Sequence, residues 1–233
     1  MAVAWWFMRD LGFAPQEHAS PLTAVRSVLA GAVEGGLRNR PVRWLMLAAP
    51  FTAGTGIYVF YALQPYLLQL YGDPNAYGIA GLAAAFAAGA QIVGGLLVPW
   101  VRRPFRRRTD VVLLGGVLGV GLLVLLGTVG TFALALGLVA LWSMVSAAVA
   151  PLRQSFVNGA IPTAQRATVL SFDSLLGSAG GVVVQPALGR VADGPGYPAS
   201  FLVAAAVQTL ALPFILLARR ERAASDPIPA SER

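Results

Sequence analysis

The apolar positions of this chain come in long unbroken runs, and the polar ones are gathered between them. No charged residue occurs between Arg43 and Asp73, between Asp73 and Arg102, or between Asp110 and Arg153. A helix needs about 20 apolar residues to cross roughly 30 Å of hydrocarbon. Six stretches meet that length: residues 44–71, 75–101, 111–129, 132–152, 168–191 and 198–218. The joints carry turn chemistry, with "YGDPNAYG" after the first run, Gly127 and Gly130 around the third joint and "DGPGYP" after the fifth. Joints this short make neighbouring helices antiparallel. The expected fold class is an all-α membrane protein, a bundle of six transmembrane helices over residues 44–218, preceded by residues 1–43 and followed by a polar tail, 219–233.

Within the first 43 residues, "SPLTAVRSVLAGAVEGGLRNRP" places Leu22, Val25, Leu29, Val33 and Leu37 at helical spacing, with Ser20 as N-cap and Pro21 in the first turn. This predicts an amphipathic helix, in the cytoplasmic interface or packed under the bundle. "MAVAWWFM" is too short to cross and is followed by Arg9 and Asp10, so it reads as the end of an earlier span; without a basic start it is no signal peptide.

Composition agrees with the pattern: 57% of residues are hydrophobic and 12% charged, against roughly 45–50% and about 25% in a soluble domain. With no cysteine, a disulfide framework, a thiolate metal site and a cysteine nucleophile are excluded. The single histidine, His18, lies outside every apolar run, which leaves no residue for a histidine-based intramembrane hydrolase or a haem. The runs hold neither a nucleophile–base pair nor a metal cluster, so the chain reads as no enzyme, with no cofactor or metal.

Charge placement orients the bundle. If all six runs cross, Arg190 lies on the face shared with Asp73 and Asp193, and the other sixteen arginines lie on the opposite one. The positive-inside rule then puts both termini in the cytoplasm. "WVRRPFRRRTDVV", with Arg102, Arg103, Arg106, Arg107 and Arg108, is therefore a topological anchor. A joint so short offers no aromatic-interleaved platform for nucleic acid. Basic residues that are all arginine, beside heavy use of Ala, Gly and Pro, point to a GC-rich bacterial gene and so to the cell membrane.

Six runs, a long cytoplasmic lead-in and an arginine-rich joint after the second run resemble the C-terminal half of a bacterial major facilitator superfamily transporter. The stretch "NGAIPTAQRATVLSFDSLLGSAGG" is similar to the joint between the tenth and eleventh helices of that family, with Ile161, Pro162, Arg166, Ala167, Thr168 and Ser171 in the usual places. "RRPFRRR" is the counterpart of the family's loop motif after the eighth helix, keeping Gly95 and the arginines but lacking the aspartate and the second glycine. "GRVADGPG" matches that motif better in letters, through Gly189, Asp193 and Gly196, but falls on the outer side and reads as a turn.

The resemblance implies two six-helix bundles rocking about a central site, with the first and fourth helices of each lining the cavity. On the first run, Thr52, Thr55, Tyr58, Tyr66 and Gln69 share a broad face, with Tyr61 and Gln64 off it. Thr55 and Tyr58 are cavity candidates, against the alternative that Tyr and Gln near the outer end form an interfacial belt. On the fourth, Trp142, Ser143 and Ser146 share a face at mid-depth and Gln154 continues it; the alternative is serines bonding to their own helix. Gln91 is a further polar candidate on the second run, while the third and sixth are almost purely apolar, as lipid-facing helices are.

The fifth run spaces Ser171, Ser174, Ser178, Gly181 and Gln185 three and four apart, and the second spaces Gly81, Ala85 and Gly89 likewise. Such seams of small residues favour close helix packing over solute contact. Asp173 is the one ionisable residue expected within a span. It could carry a coupling proton or meet a cationic substrate, but its place near the cytoplasmic end favours an ion pair with Arg166 or Arg153.

These residues and the resemblance together imply secondary active transport of a small solute by alternating access, with the lipid bilayer as solvent and a proton as candidate coupling ion. Aromatic and Gln side chains with few charges lean toward an amphiphilic, drug-like efflux substrate. One half supplies only one wall of a cavity, so the missing N-terminal six-helix half, a partner chain or a second copy is expected. The rival expectations are a non-transporting membrane scaffold and a truncated, inactive fragment.

Overall fold

Each of the first five apolar runs becomes one helix, and turn residues separate these helices along the chain. The structure, a computed structural model, describes residues 33–230 together with Arg26, Ala30 and Gly31. The helices are α1 (Arg40–Tyr71), α2 (Tyr77–Val101), α3 (Arg108–Leu126), α4 (Phe132–Ala160), α5 (Arg166–Asp193), α6 (Tyr197–Thr209) and α7 (Ala211–Arg220). A π-helical turn, Val33–Leu37, precedes α1 and a 3-10 turn, Thr163–Gln165, leads into α5. Ser20, Leu22, Val25 and Leu29 of the expected amphipathic helix lie outside the described residues, as do "MAVAWWFM" and His18.

Six of these segments, with α6 and α7 taken as one, are long and apolar enough to cross a membrane. At 32 residues, α1 is about 48 Å long at 1.5 Å per residue, well beyond the hydrocarbon thickness. The excess carries Arg40 and Arg43 out of the apolar layer. Pro41 sits in the first turn of α1, where its missing N–H is no loss. Gly72 ends the helix in the left-handed region at φ 87°, donating from its N–H to the Leu68 carbonyl at 3.0 Å. Asp73 then accepts from the Asn75 N–H at 2.9 Å and turns the chain into α2.

The last span is not the single helix expected over residues 198–218. Pro213 has no N–H to offer the Thr209 carbonyl, and the helix breaks at Leu210, whose N–H bonds to Val207 instead, at 3.1 Å. Helix α1 is central: it packs most heavily on α5 and α7, while α2 packs on α4, and α3 on α4 and α6. The tightest crossing joins α1 and α5. A Cβ on Gly180 would collide with the Pro50 backbone, and one on Gly54 would lie 2.9 Å from the Gly180 carbonyl carbon. Only glycine lets two helix backbones approach that closely.

The buried apolar residues form two clusters separated along the bundle. One gathers Tyr58, Leu63, Tyr66, Leu123 and Phe201 at the end away from the arginines. The other gathers Val42, Leu45, Phe156, Val169 and Ile215 at the arginine-rich end.

Candidate functional site

Between those two clusters the helices leave a cavity of about 530 Å³, a size ordinary for a small-molecule site. Its walls are Ala48, Thr52 and Gly56 of α1, Trp142, Ser146 and Arg153 of α4, and Asp173, Ser174 and Ser178 of α5, with Gly115 and Gly116 of α3 and Gln208 of α6 at the back. Three local features shape it. Gly56 puts no side chain opposite Trp142, the nearest atom to a Cβ there being the tip of the indole at 3.9 Å. Gly115 and Gly116 let Val149 of α4 and Leu212 of α7 close directly onto α3 behind it. Pro213 breaks the last span just after Gln208, whose amide lies so close over Gly119 of α3 that a Cβ there would collide with it.

Two charges sit at the arginine-rich end of this cavity. Arg153 holds Asp173 in a fork, Nη1 donating to Oδ2 and Nη2 to Oδ1, both at 2.8 Å. The same Nη2 also donates to the Leu45 carbonyl at 3.2 Å, so the pair ties α4, α5 and α1 together. The Asp173 side chain is 11% exposed and that of Arg153 26%. A bidentate guanidinium–carboxylate pair fixes geometry as well as charge. It contributes no net charge to the cavity, and the remaining polar groups, Thr52, Ser146, Ser174, Ser178 and Gln208, are all neutral.

The other singled-out residues divide. Trp142 and Ser146 line the cavity; Trp142 Nε1 is buried without a partner among the described residues. Ser143 is buried beside them and does not line the cavity. Thr55 is fully buried on the side of α1 that faces the bundle, its hydroxyl without a partner among the described residues. The Tyr58 hydroxyl hydrogen-bonds Ser200 Oγ, and the ring packs edge-on against Phe201. Tyr66 donates to the carbonyls of Leu126 and Val129, at 3.0 Å each. This part of the α1 stripe thus plugs the end of the bundle away from the arginines, and Tyr61, Gln64 and Gln69 point outward. Gln91 is exposed on α2. Arg166 lies half-buried apart from Asp173, its Nε without a partner among the described residues.

The seams divide as well. On α5, Ser174 and Ser178 face the cavity while Gly181 meets Ile57 of α1. On α2, Gly81 and Gly89 face open space, and close packing against α4 is made instead by Gly94 over the Met144 backbone. Gln208 had a signal that the apolar reading of the last run passed over: it and Thr209 are the only polar residues between Phe201 and Ala218, five and four positions before a proline.

At the arginine-rich end, the joint after α2 and the tail after α7 form one structure. Gly95 is exposed, Arg102 is half-buried, and Arg103 and Arg106 are exposed. Residues Arg107 and Pro227 pair as an antiparallel bridge. Arg108 is buried, donating from Nη1 to the carbonyls of Ser225 at 2.6 Å and Pro227 at 2.8 Å. Asp226, 1% exposed, accepts at 2.9 Å from both the N–H and the hydroxyl of Thr109, capping the start of α3. Ser225 donates to the Phe156 carbonyl at 2.9 Å. Residues 219–233 were expected to be no more than a polar tail; as far as Ala230 they are a strap across α3 and α4.

Among known proteins, the sequence profile of the Major Facilitator Superfamily matches residues 1–185 and 47–233, so that every residue is covered. No curated protein matches the chain. Among solved structures, a crystal structure of an E. coli fucose:proton symporter, FucP, superposes with a TM-score of 0.67 at 20% identity, over 89% of this chain and 50% of the symporter. The chain therefore spans half the length of that transporter, and at this identity the likeness shows the fold. Profile, six apolar helices and shared architecture lead to one conclusion: this is a multi-pass membrane protein that belongs to the Major Facilitator Superfamily.

Proposed function

We propose that the chain is one half of a secondary transporter, moving a small neutral, amphiphilic solute across a bacterial cell membrane by alternating access, with no enzymatic step and no cofactor. The observation that carries this reading is the cavity at mid-bundle, walled by α1, α4 and α5. It combines an indole, four hydroxyls, one amide and a charge-neutral Arg153–Asp173 pair. An indole suits an apolar ring face, and hydroxyl and amide groups match a solute with a few hydrogen-bonding groups. The fucose:proton symporter superposed on this chain is proton-coupled by name; here the coupling candidate is Asp173, held by Arg153 at the arginine-rich end of the cavity.

The second wall comes from another six-helix bundle, supplied by the remainder of a longer chain, a separate partner or a second copy. The outward faces of α2 and α5 support this. Leu82, Phe86 and Leu96, and Leu175, Val182 and Val183, are exposed, and Gly78, Gly81 and Gly89 leave α2 open to close approach. Both termini and the arginine cluster lie on the cytoplasmic side in this reading, by the positive-inside rule.

Trp142 provides the test. In detergent, titration with fucose, alkyl glycosides and amphiphilic dyes quenches or shifts indole emission if the cavity binds them, and Trp142→Phe removes the signal. Proteoliposomes holding the chain with its second bundle then report flux of whichever probe binds. A probe that alters fluorescence equally in Trp142→Phe, or flux that survives filling the cavity with Gly56→Leu, overturns the assignment of the site.

A further inference from the structure

A second pocket lies at the arginine-rich end, and it shares no lining residue with the cavity. Arg106 and Arg107 of the joint after α2, Asp110 and Leu216, and Arg219, Arg220 and Arg222 after them in the chain enclose about 530 Å³. Asp110 is the one carboxylate in its lining, and it is engaged by Arg219 Nε at 2.5 Å. Four guanidiniums are left facing a shared space. Like charges so close repel unless an anion lies among them, and a guanidinium fork matches phosphate oxygens two at a time.

The backbone is shaped to bring them there. Ile228 donates to the Arg106 carbonyl at 2.9 Å and Pro227 pairs with Arg107, so the strap fixes the joint after α2. Arg222 adopts φ 49°, the one non-glycine residue with positive φ among those described, and this reverses the chain just after α7. A non-glycine residue in that region is uncommon and disfavoured, and it persists when surrounding contacts require it.

Depth identifies the ligand. Leu216 lies in the pocket lining and is exposed, and on α3 the exposed Leu114, Val117 and Leu118 follow Asp110 at helical spacing down the apolar span. The pocket therefore opens onto the boundary between charged surface and hydrocarbon, with an apolar strip leading away from it. A free anion needs no such strip, whereas a phospholipid needs both.

We propose that this pocket binds the phosphate of an anionic phospholipid headgroup, with the acyl chains lying along Leu216, Leu114 and Leu118. The site is independent of the transport cavity and rests only on the six-span fold. Its ligand chemistry, a phosphate oxyanion, is shared with free phosphate, and the test separates the two.

The full chain is purified in a neutral detergent, stripped of lipid, and titrated with dioleoylphosphatidylglycerol, with dioleoylphosphatidylcholine and with inorganic phosphate, binding being read by native mass spectrometry. Phosphatidylglycerol binds at least tenfold more tightly than phosphatidylcholine. The double variant Arg220→Gln/Arg222→Gln weakens it roughly thirtyfold, while Arg103→Gln/Arg190→Gln, which removes the same charge elsewhere, leaves it within about twofold. If the first variant folds poorly, Arg106→Gln/Arg107→Gln decides, because it removes the other two free guanidiniums of the same pocket and must weaken phosphatidylglycerol binding to a similar degree. Equal binding of the two lipids, a loss no greater in the pocket variant than in Arg103→Gln/Arg190→Gln, or unchanged binding in a well-folded Arg106→Gln/Arg107→Gln variant overturns the proposal. Displacement of lipid by submillimolar inorganic phosphate overturns it too, by showing a site for a free oxyanion.

Discussion

Replacing Asp173 by Asn tests whether the fork with Arg153 holds three helices in place. With charge centres roughly 4 Å apart, an effective dielectric of 20 gives an attraction of about 4 kcal/mol. Arg153 is 26% exposed toward the cavity, so water recovers part of that when the carboxylate is lost, and the Leu45 carbonyl at 3.2 Å still accepts one of its protons. The expected loss is about 2–3 kcal/mol, because what remains is a poorly paired guanidinium among apolar walls. In a chain of 233 residues that lowers the thermal midpoint by roughly 5–10 °C. The cycle is completed with Arg153→Gln and with the double variant, each measured by circular dichroism in the same detergent. Removing both charges leaves neither unpaired, so the double variant lies within about 1 kcal/mol of the parent, and the coupling energy is about 2 kcal/mol or more. Additive losses, or a single variant as stable as the parent, would refute the claim that the two residues act as a pair.

Gly180→Ala, which drives a methyl into the Pro50 backbone, is expected to destabilise the α1–α5 crossing by about 1–3 kcal/mol, whereas Gly81→Ala, facing open space, shifts the midpoint by no more than about 0.5 kcal/mol. Asp226→Ala removes the cap of α3 and the bonds to Thr109; a loss of about 2 kcal/mol is expected, with trypsin cutting after Arg222 several times faster because the strap no longer holds. Gln208→Leu leaves stability within about 1 kcal/mol and weakens by roughly tenfold any probe that Trp142 reports and that carries a hydrogen-bonding group, while a purely apolar probe binds as well as before; equal effects on both probe types would show that the amide does not face the solute.

Span number and the one-sided arginines were legible along the chain because a bilayer reduces their cause to a one-dimensional rule: apolar length against hydrocarbon thickness, with charge at the ends. The candidate site was legible in part. Trp142, Ser146, Arg153 and Asp173 stand out as polar or aromatic residues in oil, and all four line the cavity. Thr55 and Tyr58 stand out equally, yet both are buried against neighbouring helices and neither lines the cavity, because period alone says which residues share a face and not which neighbour that face meets. Arg153 and Arg166 were equal candidates to pair with Asp173 until the rotation of α4 brought Arg153 Nη1 and Nη2 onto the carboxylate.

What the amino-acid order determined by itself was therefore the class of solvent, the six crossings and the side on which charge gathers, since each follows from local composition. The cavity, the partnership of Arg153 with Asp173 and the strap anchored by Asp226 were decided only by tertiary structure. Each depends on residues from 20 to 117 positions apart in the chain meeting across helices, or on glycines that leave space where a side chain would have filled it. Distances of that kind are set by how helices rotate and cross, which no single run of residues encodes.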